Sequence, residues 1–422
     1  MLEAWKHILN IPCDISTCSS SILDASVVGH RVIVRLDAAI RDVLAHASRD
    51  AAAPASLLQP LETLLLYAWQ ELNTGKWSDV DANWHALYAA VSWLKAVATV
   101  LVRGGQPTEA LGEEVIRICD MGHLMGGDVW EGILIHTISN VEKYRSGVAA
   151  YDGHSSAGNT DHLHPAKRPK PSHRPAIRHP IPTVHLPSLQ AFHSTYLSTH
   201  TPVIIQGALS TWPALDKWSP EYLRQVCGSR TVPVELGRRY TDTDWTQQLM
   251  TVGQFIDRYI YLRDNPDGQM AYLAQHELFR QAPGLADDII TPDYVAFAGD
   301  DEPDVNAWFG PEGTVSPLHY DPKENFLCQV MGEKFIRLYR EEESERLYPH
   351  ESKMLGNTSQ VDVENPDLDR FPKFSEAKYE EGILEAGDML YIPARCWHFV
   401  RSLSVSFSVS FWFNGQNDAS SN

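Results

Sequence analysis

The stretch Asn306-Ala-Trp308-Phe-Gly310-Pro-Glu-Gly313-Thr-Val-Ser316-Pro-Leu-His319-Tyr320-Asp321 decides the fold of this chain. It reads as strand, turn, strand, with apolar and aromatic runs on either side of a Gly-Pro-Glu-Gly break. Farther on, Leu403-Ser-Val-Ser-Phe-Ser-Val-Ser-Phe411 alternates apolar and hydroxyl side chains with the period of a strand. Met331-Gly-Glu-Lys334-Phe-Ile-Arg-Leu-Tyr339 alternates as well, and upstream lie Pro202-Val-Ile-Ile-Gln206 and Thr231-Val-Pro-Val-Glu-Leu236. Helical pieces are expected at Pro220–Val226 and Val252–Leu262. Many short strands separated by turns predict a double-sheet jelly roll.

The same stretch carries chemistry. His319 and Asp321 stand two residues apart on a strand and so point to one face. A second histidine, His398, ends the segment Gly387-Asp388-Met-Leu-Tyr-Ile-Pro393-Ala-Arg-Cys-Trp397-His398 and belongs to a different strand. Two imidazoles and one carboxylate cap one face of a metal and leave the opposite positions open, the arrangement of non-haem Fe(II) oxygenases. In a chain with 18 histidines an isolated His-x-Asp pair carries little weight; its surroundings carry it. One of these is Lys334. A buried cation there would hold the distal carboxylate of a dicarboxylate cosubstrate through a charge-assisted hydrogen bond, with Ser316 and Asn325 as further donors. A solvated strand lysine is the competing reading.

Further motifs are Ala307-Trp-Phe-Gly310, Ser316-Pro-Leu-His-x-Asp-Pro322, Asn357-Thr-Ser-Gln-Val-Asp-Val-Glu-Asn-Pro-Asp367 and Ser406-Phe-Ser-Val-Ser-Phe-Trp412. With Val232-Pro-Val-Glu235-Leu-Gly-x-Arg-Tyr240 and Tyr272-Leu-Ala-Gln-His276, they make the chain from about Val184 to Asn414 resemble the JmjC-domain 2-oxoglutarate oxygenases. The resemblance implies a double-stranded β-helix of the cupin type. It implies Fe(II) at His319, Asp321 and His398, and 2-oxoglutarate held by Lys334 and Tyr272 with Ser316 and Asn325 assisting. It also implies decarboxylation of 2-oxoglutarate to succinate and CO2, coupled to hydroxylation of a substrate C–H bond. Glu235, Tyr240, Trp245, Trp308 and Trp412 correspond to substrate-lining positions. A carboxylate among aromatics suits a guanidinium, which pairs bidentately and stacks, so arginyl residues of a protein are the expected substrate. For Trp245, plain barrel packing stands level with substrate contact. Three other activities stay open: demethylation of methyl-lysine on histone tails, histone-tail proteolysis by a metal-activated water, and a non-catalytic chromatin scaffold.

At 422 residues the chain has room for two domains, and a 43% hydrophobic fraction supports real cores. The net charge of −19 argues against binding a phosphate backbone. It suits a basic, arginine-containing partner such as a histone tail or another nuclear or ribosomal protein. No nucleic acid or membrane partner is expected. The six cysteines are scattered without a CxxC pair, which predicts reduced thiols. Cys396, two residues before a metal ligand, is either sensitive to oxidation or an inert barrel thiol. No basic segment followed by an apolar core opens the chain, so no signal peptide is read.

Leu36 to Tyr144 carries apolar residues at helical spacing, with Asp81 as a candidate cap and breaks at Gly104-Gly105 and Gly126-Gly127. The apolar run Ala86–Val102, interrupted by Ser92 and Lys95, reads as a buried helix rather than a membrane span. The expectation is an α+β protein: an all-helical domain over 1–145, a flexible Gly/Ser/His/Pro linker over 146–182, and the barrel over 183–416. The five histidines from His154 to His179 read as linker. Lys167-Arg-Pro-Lys170, with Arg174 and Arg178, is either a nuclear import signal or a solvated charge run. The first reading implies a nuclear location, with the cytoplasm second.

Overall fold

The structure, a computed structural model, describes residues 5, 8–9, 22–49, 51–104, 107–152, 174–241, 245–261, 269–299, 301–352 and 355–415. Two compact units result, Met1–Ala166 with Ser229–Thr231, and Lys167–Gly228 with Val232–Asn422.

The first unit is helical. Its main helices are His30–Ala47, Leu58–Leu72, Ala82–Arg103, Glu109–Gly126 and Ile133–Asp152. The last of these runs past residue 145, where the sequence reading ended the domain. Asp81 caps Ala82–Arg103 by accepting the Asn83 N–H at 2.9 Å, and Gly104 ends it at φ 54°. This helix is long and apolar enough to cross a membrane, yet 72% of its most apolar window is buried within the unit. Leu87, Val91, Trp93, Leu94, Val97 and Val100 are fully buried, each burial contributing roughly 1.5–3 kcal/mol. Helix Glu109–Gly126 approaches closely because its contact residues are small. A Cβ on Gly126 would lie 2.5 Å from the His85 carbonyl oxygen.

The second unit is a two-sheet barrel. Its strands are β1 (Thr183–His185), β2 (Val203–Gln206), β3 (Thr231–Leu236), β4 (Thr246–Thr251), β5 (Ala271–His276), β6 (Asp304–Gly310), β7 (Val315–Tyr320), β8 (Glu324–Met331), β9 (Lys334–Tyr339), β10 (Glu380–Leu384), β11 (Met389–Ile392), β12 (Trp397–Ser402) and β13 (Ser406–Phe413). The large sheet has the order β1-β2-β11-β8-β13-β6-β5-β3-β4, and the small sheet β10-β9-β12-β7. Leu327, Ile336, Leu390, Ile392 and Val400 form a buried apolar cluster drawn from both sheets. The strict alternation in β13 does not separate inside from outside. Ser406, Ser408 and Ser410 are as buried as their apolar neighbours. Their hydroxyls serve barrel groups: Ser408 donates to Gln329 Oε1 at 2.6 Å, and Ser410 accepts the Trp308 indole N–H at 2.9 Å.

Both edges of the small sheet are covered. On β7, Asn357–Ser359 pairs as a short strap: Tyr320 N–H donates to Asn357 O at 3.0 Å and Ser359 N–H to Leu318 O at 2.8 Å. On β10, Ile181 N–H donates to Glu381 O at 3.0 Å and Glu381 N–H to His179 O at 2.7 Å. This second pairing departs from the anticipated linker, which from Arg174 onward is bound to the barrel. Arg174 pairs with Glu385 at 2.8 Å and with Glu333, and Ile181 is buried. The attachment rests on main-chain pairing and isolated ion pairs, which leave no apolar period to read. Lys167–Lys170, His154, His162, His164, His173, Cys13 and Cys18 lie outside the described residues.

Candidate functional site

The small sheet supplies the histidines. In the β7–β12 ladder His319 and His398 are direct partners, and the register then shifts so that Val400 faces Ser316. The extra residue falls at Pro317–Leu318. A proline fits such a bulge because it has no N–H to offer the ladder, and bulges re-aim neighbouring side chains. Here the freed Pro317 carbonyl lies 2.7 Å from His319 Nδ1. On the other strand His398 Nδ1 lies 3.0 Å from the Cys396 carbonyl. Each contact places the ring proton on Nδ1 and leaves Nε2 as a lone pair facing the cavity.

Asp321 follows directly on β7. Its oxygens lie 3.5 Å from His398 Nε2 and 3.9 Å from His319 Nε2, and one ligand atom from each of the three residues falls within a 4.8 Å cluster. The Asp321 carbonyl accepts the Arg395 N–H at 2.8 Å, tying the turn before His398 to the first ligand strand. Burial, with His319 alongside, pushes His398 down to about 4, so it is neutral and ready to ligate. Two Nε2 lone pairs and one carboxylate on a buried face fit a divalent metal with open positions.

Beyond the triad is an inner cavity lined by Tyr272, Trp308, Ser316, Asn325, Leu327, Lys334, Ile392 and Val400 together with the three ligands. Lys334 opens β9 and is 1% exposed. Its ammonium donates to the Tyr272 hydroxyl at 3.1 Å, and among the described residues no carboxylate pairs with it. Burial alone lowers it to about 7. The Asn325 amide oxygen is buried without a hydrogen-bond partner. A buried ammonium without a counter-charge is costly. An anionic group in the cavity would compensate it, so the Lys334–Tyr272 end of the lining fits a carboxylate. The Asn325 oxygen is an acceptor and calls for a donor.

An outer pocket shares Tyr272, Trp308, Ser316, His319 and Asp321 with the inner one and adds Glu235, Tyr240, Trp245, Gln275, Leu355, Asn357 and Thr358. Glu235 on β3 faces Tyr272 on β5 across the ladder. Burial raises its carboxyl above the usual range. The Trp245 indole N–H, 3.4 Å away, opposes this, and no cation pairs with it among the described residues. The Tyr240 ring stands edge-on to His319 at 6.3 Å between centroids, and burial pushes its phenol up to about 12. Four of the five anticipated substrate residues therefore gather at one mouth. Trp412 is not among that pocket's walls; it stands on β13 opposite Asn325.

Cys396 is buried, and burial raises its thiol to about 12, which favours the inert barrel reading over an oxidation-sensitive thiolate. Sequence reasoning gave no role to Asn357 and Thr358, although the motif containing them was visible. Their importance lies in edge pairing to β7, which has no periodic signal.

The cupin-like domain family matches residues 189–419. A Danio rerio protein named Lysine-specific demethylase 8 is 45% identical over 360 residues, covering 84% of this chain and 86% of that protein. Lysine-specific demethylase JMJ30 of Arabidopsis thaliana is 38% identical, with 84% and 85% covered. Jumonji C domain-containing protein 5 of Drosophila melanogaster is 36% identical, with 82% and 84% covered.

Proposed function

The chain belongs to the cupin-like JmjC family of Fe(II)- and 2-oxoglutarate-dependent oxygenases, and from that premise we propose that it hydroxylates arginyl residues of a protein substrate. His319, Asp321 and His398 would hold the iron. Lys334 and Tyr272 would take the distal carboxylate of 2-oxoglutarate, with Ser316 and Asn325 beside them. When bound, the pair supplies the oxidising chemistry for C–H hydroxylation, while the protein binds, orients and excludes side reactions.

The observation that carries the arginyl reading is Glu235: a half-buried carboxylate without a cationic partner among the described residues, set among Trp245, Tyr240 and Trp308 at the mouth leading to the triad. A guanidinium answers each of these features. It brings the missing charge, its N–H fork matches a carboxylate, and its plane stacks on aromatic faces. The reading extends to a basic, arginine-rich partner, supported by the acidic chain, and to a nuclear location, supported by the Lys167–Lys170 cluster.

A second reading, methyl-lysine demethylation, is favoured by the names of the relatives from Danio rerio and Arabidopsis thaliana. A methylated ammonium suits the aromatics but offers Glu235 few or no N–H donors. Mass spectrometry of arginyl and methyl-lysyl peptides incubated with the full chain, Fe(II), 2-oxoglutarate and oxygen separates the two. Gain of one oxygen on arginine is expected. Loss of methyl groups with no oxygen gained on arginine overturns the arginyl reading.

A further inference from the structure

We propose that Glu324 is a positioning residue for the metal site: its buried side chain grips the turn before His398 and so sets where that imidazole stands relative to Asp321. The inference rests on the metal assignment above and not on the choice of substrate.

Glu324 opens β8, immediately before Asn325, and is 3% exposed. One of its oxygens, Oε2, accepts two hydrogen bonds. The Tyr391 phenol on β11 donates to it at 2.6 Å, and the Ala394 N–H donates at 3.1 Å. Burial, and then the Glu324 charge beside it, push the Tyr391 phenol far above its ordinary value, so it keeps the proton it donates. A main-chain N–H can only donate. The acceptor role of Oε2 is therefore fixed from both sides. The other oxygen, Oε1, lies 4.0 Å from the imidazole of the exposed His200.

Ala394 belongs to the turn Pro393–Cys396, in which every N–H has a partner. Ala394 donates to Glu324, Arg395 to the Asp321 carbonyl at 2.8 Å, and Cys396 to the Pro393 carbonyl at 3.1 Å. Arg395 sits at φ 62°, a left-handed conformation that a non-glycine residue holds only where its surroundings impose it. Here the two ends of the β7–β8 connection, Asp321 and Glu324, impose it. The turn passes its geometry on, because the Cys396 carbonyl lies 3.0 Å from His398 Nδ1 and aims the ring. Without the Glu324 contact the turn would hang on Asp321 alone. Outer partners of this kind hold a ligand ring in place and tune metal affinity.

The test measures the Fe(II) Kd of the full chain under anaerobic conditions and the melting temperature of the metal-free protein. Glu324→Leu removes the acceptor. Glu324→Gln keeps the size and returns an amide oxygen able to take both donors. Fe(II) Kd should rise on the order of tenfold in Glu324→Leu and return close to wild type in Glu324→Gln. Tyr391→Phe frees the carboxylate from one donor and should move Kd the same way by less; it stands in if Glu324→Leu does not fold. Asp288→Asn controls for a general loss of stability. It weakens a buried cluster with Lys217, Trp218 and Tyr222, so it should lower the melting temperature and leave Fe(II) Kd unchanged. Unchanged Fe(II) affinity in Glu324→Leu, or in Tyr391→Phe if only that variant folds, overturns the positioning role. Equal weakening in Glu324→Gln, or in Asp288→Asn, overturns it as well. An Fe(II) affinity untouched by Asp321→Ala overturns the metal assignment, and this inference with it.

Discussion

His319 and His398 face each other across the β7–β12 ladder with ring centroids 4.2 Å apart, and each turns the same nitrogen to a main-chain carbonyl two residues before it. Neither ring can rotate away without losing its carbonyl, so the direction of both Nε2 lone pairs is set by the backbone. Asp321 supplies the charge. Asp321→Ala should therefore keep the fold and weaken Fe(II) binding by more than the roughly 10- to 100-fold seen for loss of an outer partner. Metal titration and succinate production check this. Wild-type values for both would show that the metal is held elsewhere.

If Lys334 holds the cosubstrate as proposed, binding should depend on pH. Its folded value is depressed to about 7, so above neutral pH the free site loses the cation that a carboxylate needs. The apparent Kd for 2-oxoglutarate should rise roughly tenfold per pH unit above 7. Lys334→Met should bind weakly at every pH, with a flat profile. The sign for stability is opposite. The folded ligand-free protein binds fewer protons than the unfolded chain between about 7 and the ordinary lysine value of 10.5, so this group favours folding as pH rises through that window. A 2-oxoglutarate affinity independent of pH in the wild type would mean that another cation holds it.

Burial raises Glu235, so it is neutralised on acidification earlier than an ordinary carboxylate. The KM for an arginyl peptide should climb as pH falls from neutral. Glu235→Gln should show a high KM with this limb of the profile removed, while peptide-independent turnover persists. A profile identical to wild type in Glu235→Gln would rule out Glu235 as the guanidinium anchor.

In the helical unit, Gly126→Ala should destabilise. The added methyl meets the His85 carbonyl oxygen at 2.5 Å and Ala89 N at 2.6 Å, both backbone atoms that cannot swing aside. Overpacking of this kind costs about 1–3 kcal/mol, seen as a lower melting temperature of the full chain. No change in melting temperature would show that the helices separate there at little cost.

The barrel was legible because its strands alternate and its turns carry glycine and proline, and the triad because its ligands sit at strand spacing in a recognisable motif. The helical unit was legible from Asp81 and the apolar period of Ala82–Arg103. Other features were hidden for physical reasons. The buried serines of β13 look like a solvent face until the second sheet is placed over them. Thr358 and Asn357 act through an edge pairing that composition does not encode. The stretch from Arg174 to Pro182 resembles the linker before it, yet it is fixed by Glu333, Glu381 and Glu385, residues far away in sequence.

The covered edges of the small sheet constrain how any polypeptide can be recognised. Among the described residues, Asn357–Ser359 occupies the Leu318–Tyr320 end of one edge and His179–Ile181 the Glu381 stretch of the other. Over those stretches an incoming chain finds no free main-chain groups to pair with. This disfavours docking by strand addition there, the mode that reads main chain and tolerates many sequences. On the proposed reading, a single side chain would reach the triad past Tyr240 and Trp308, and selectivity would be set by the chemistry of one residue at a time.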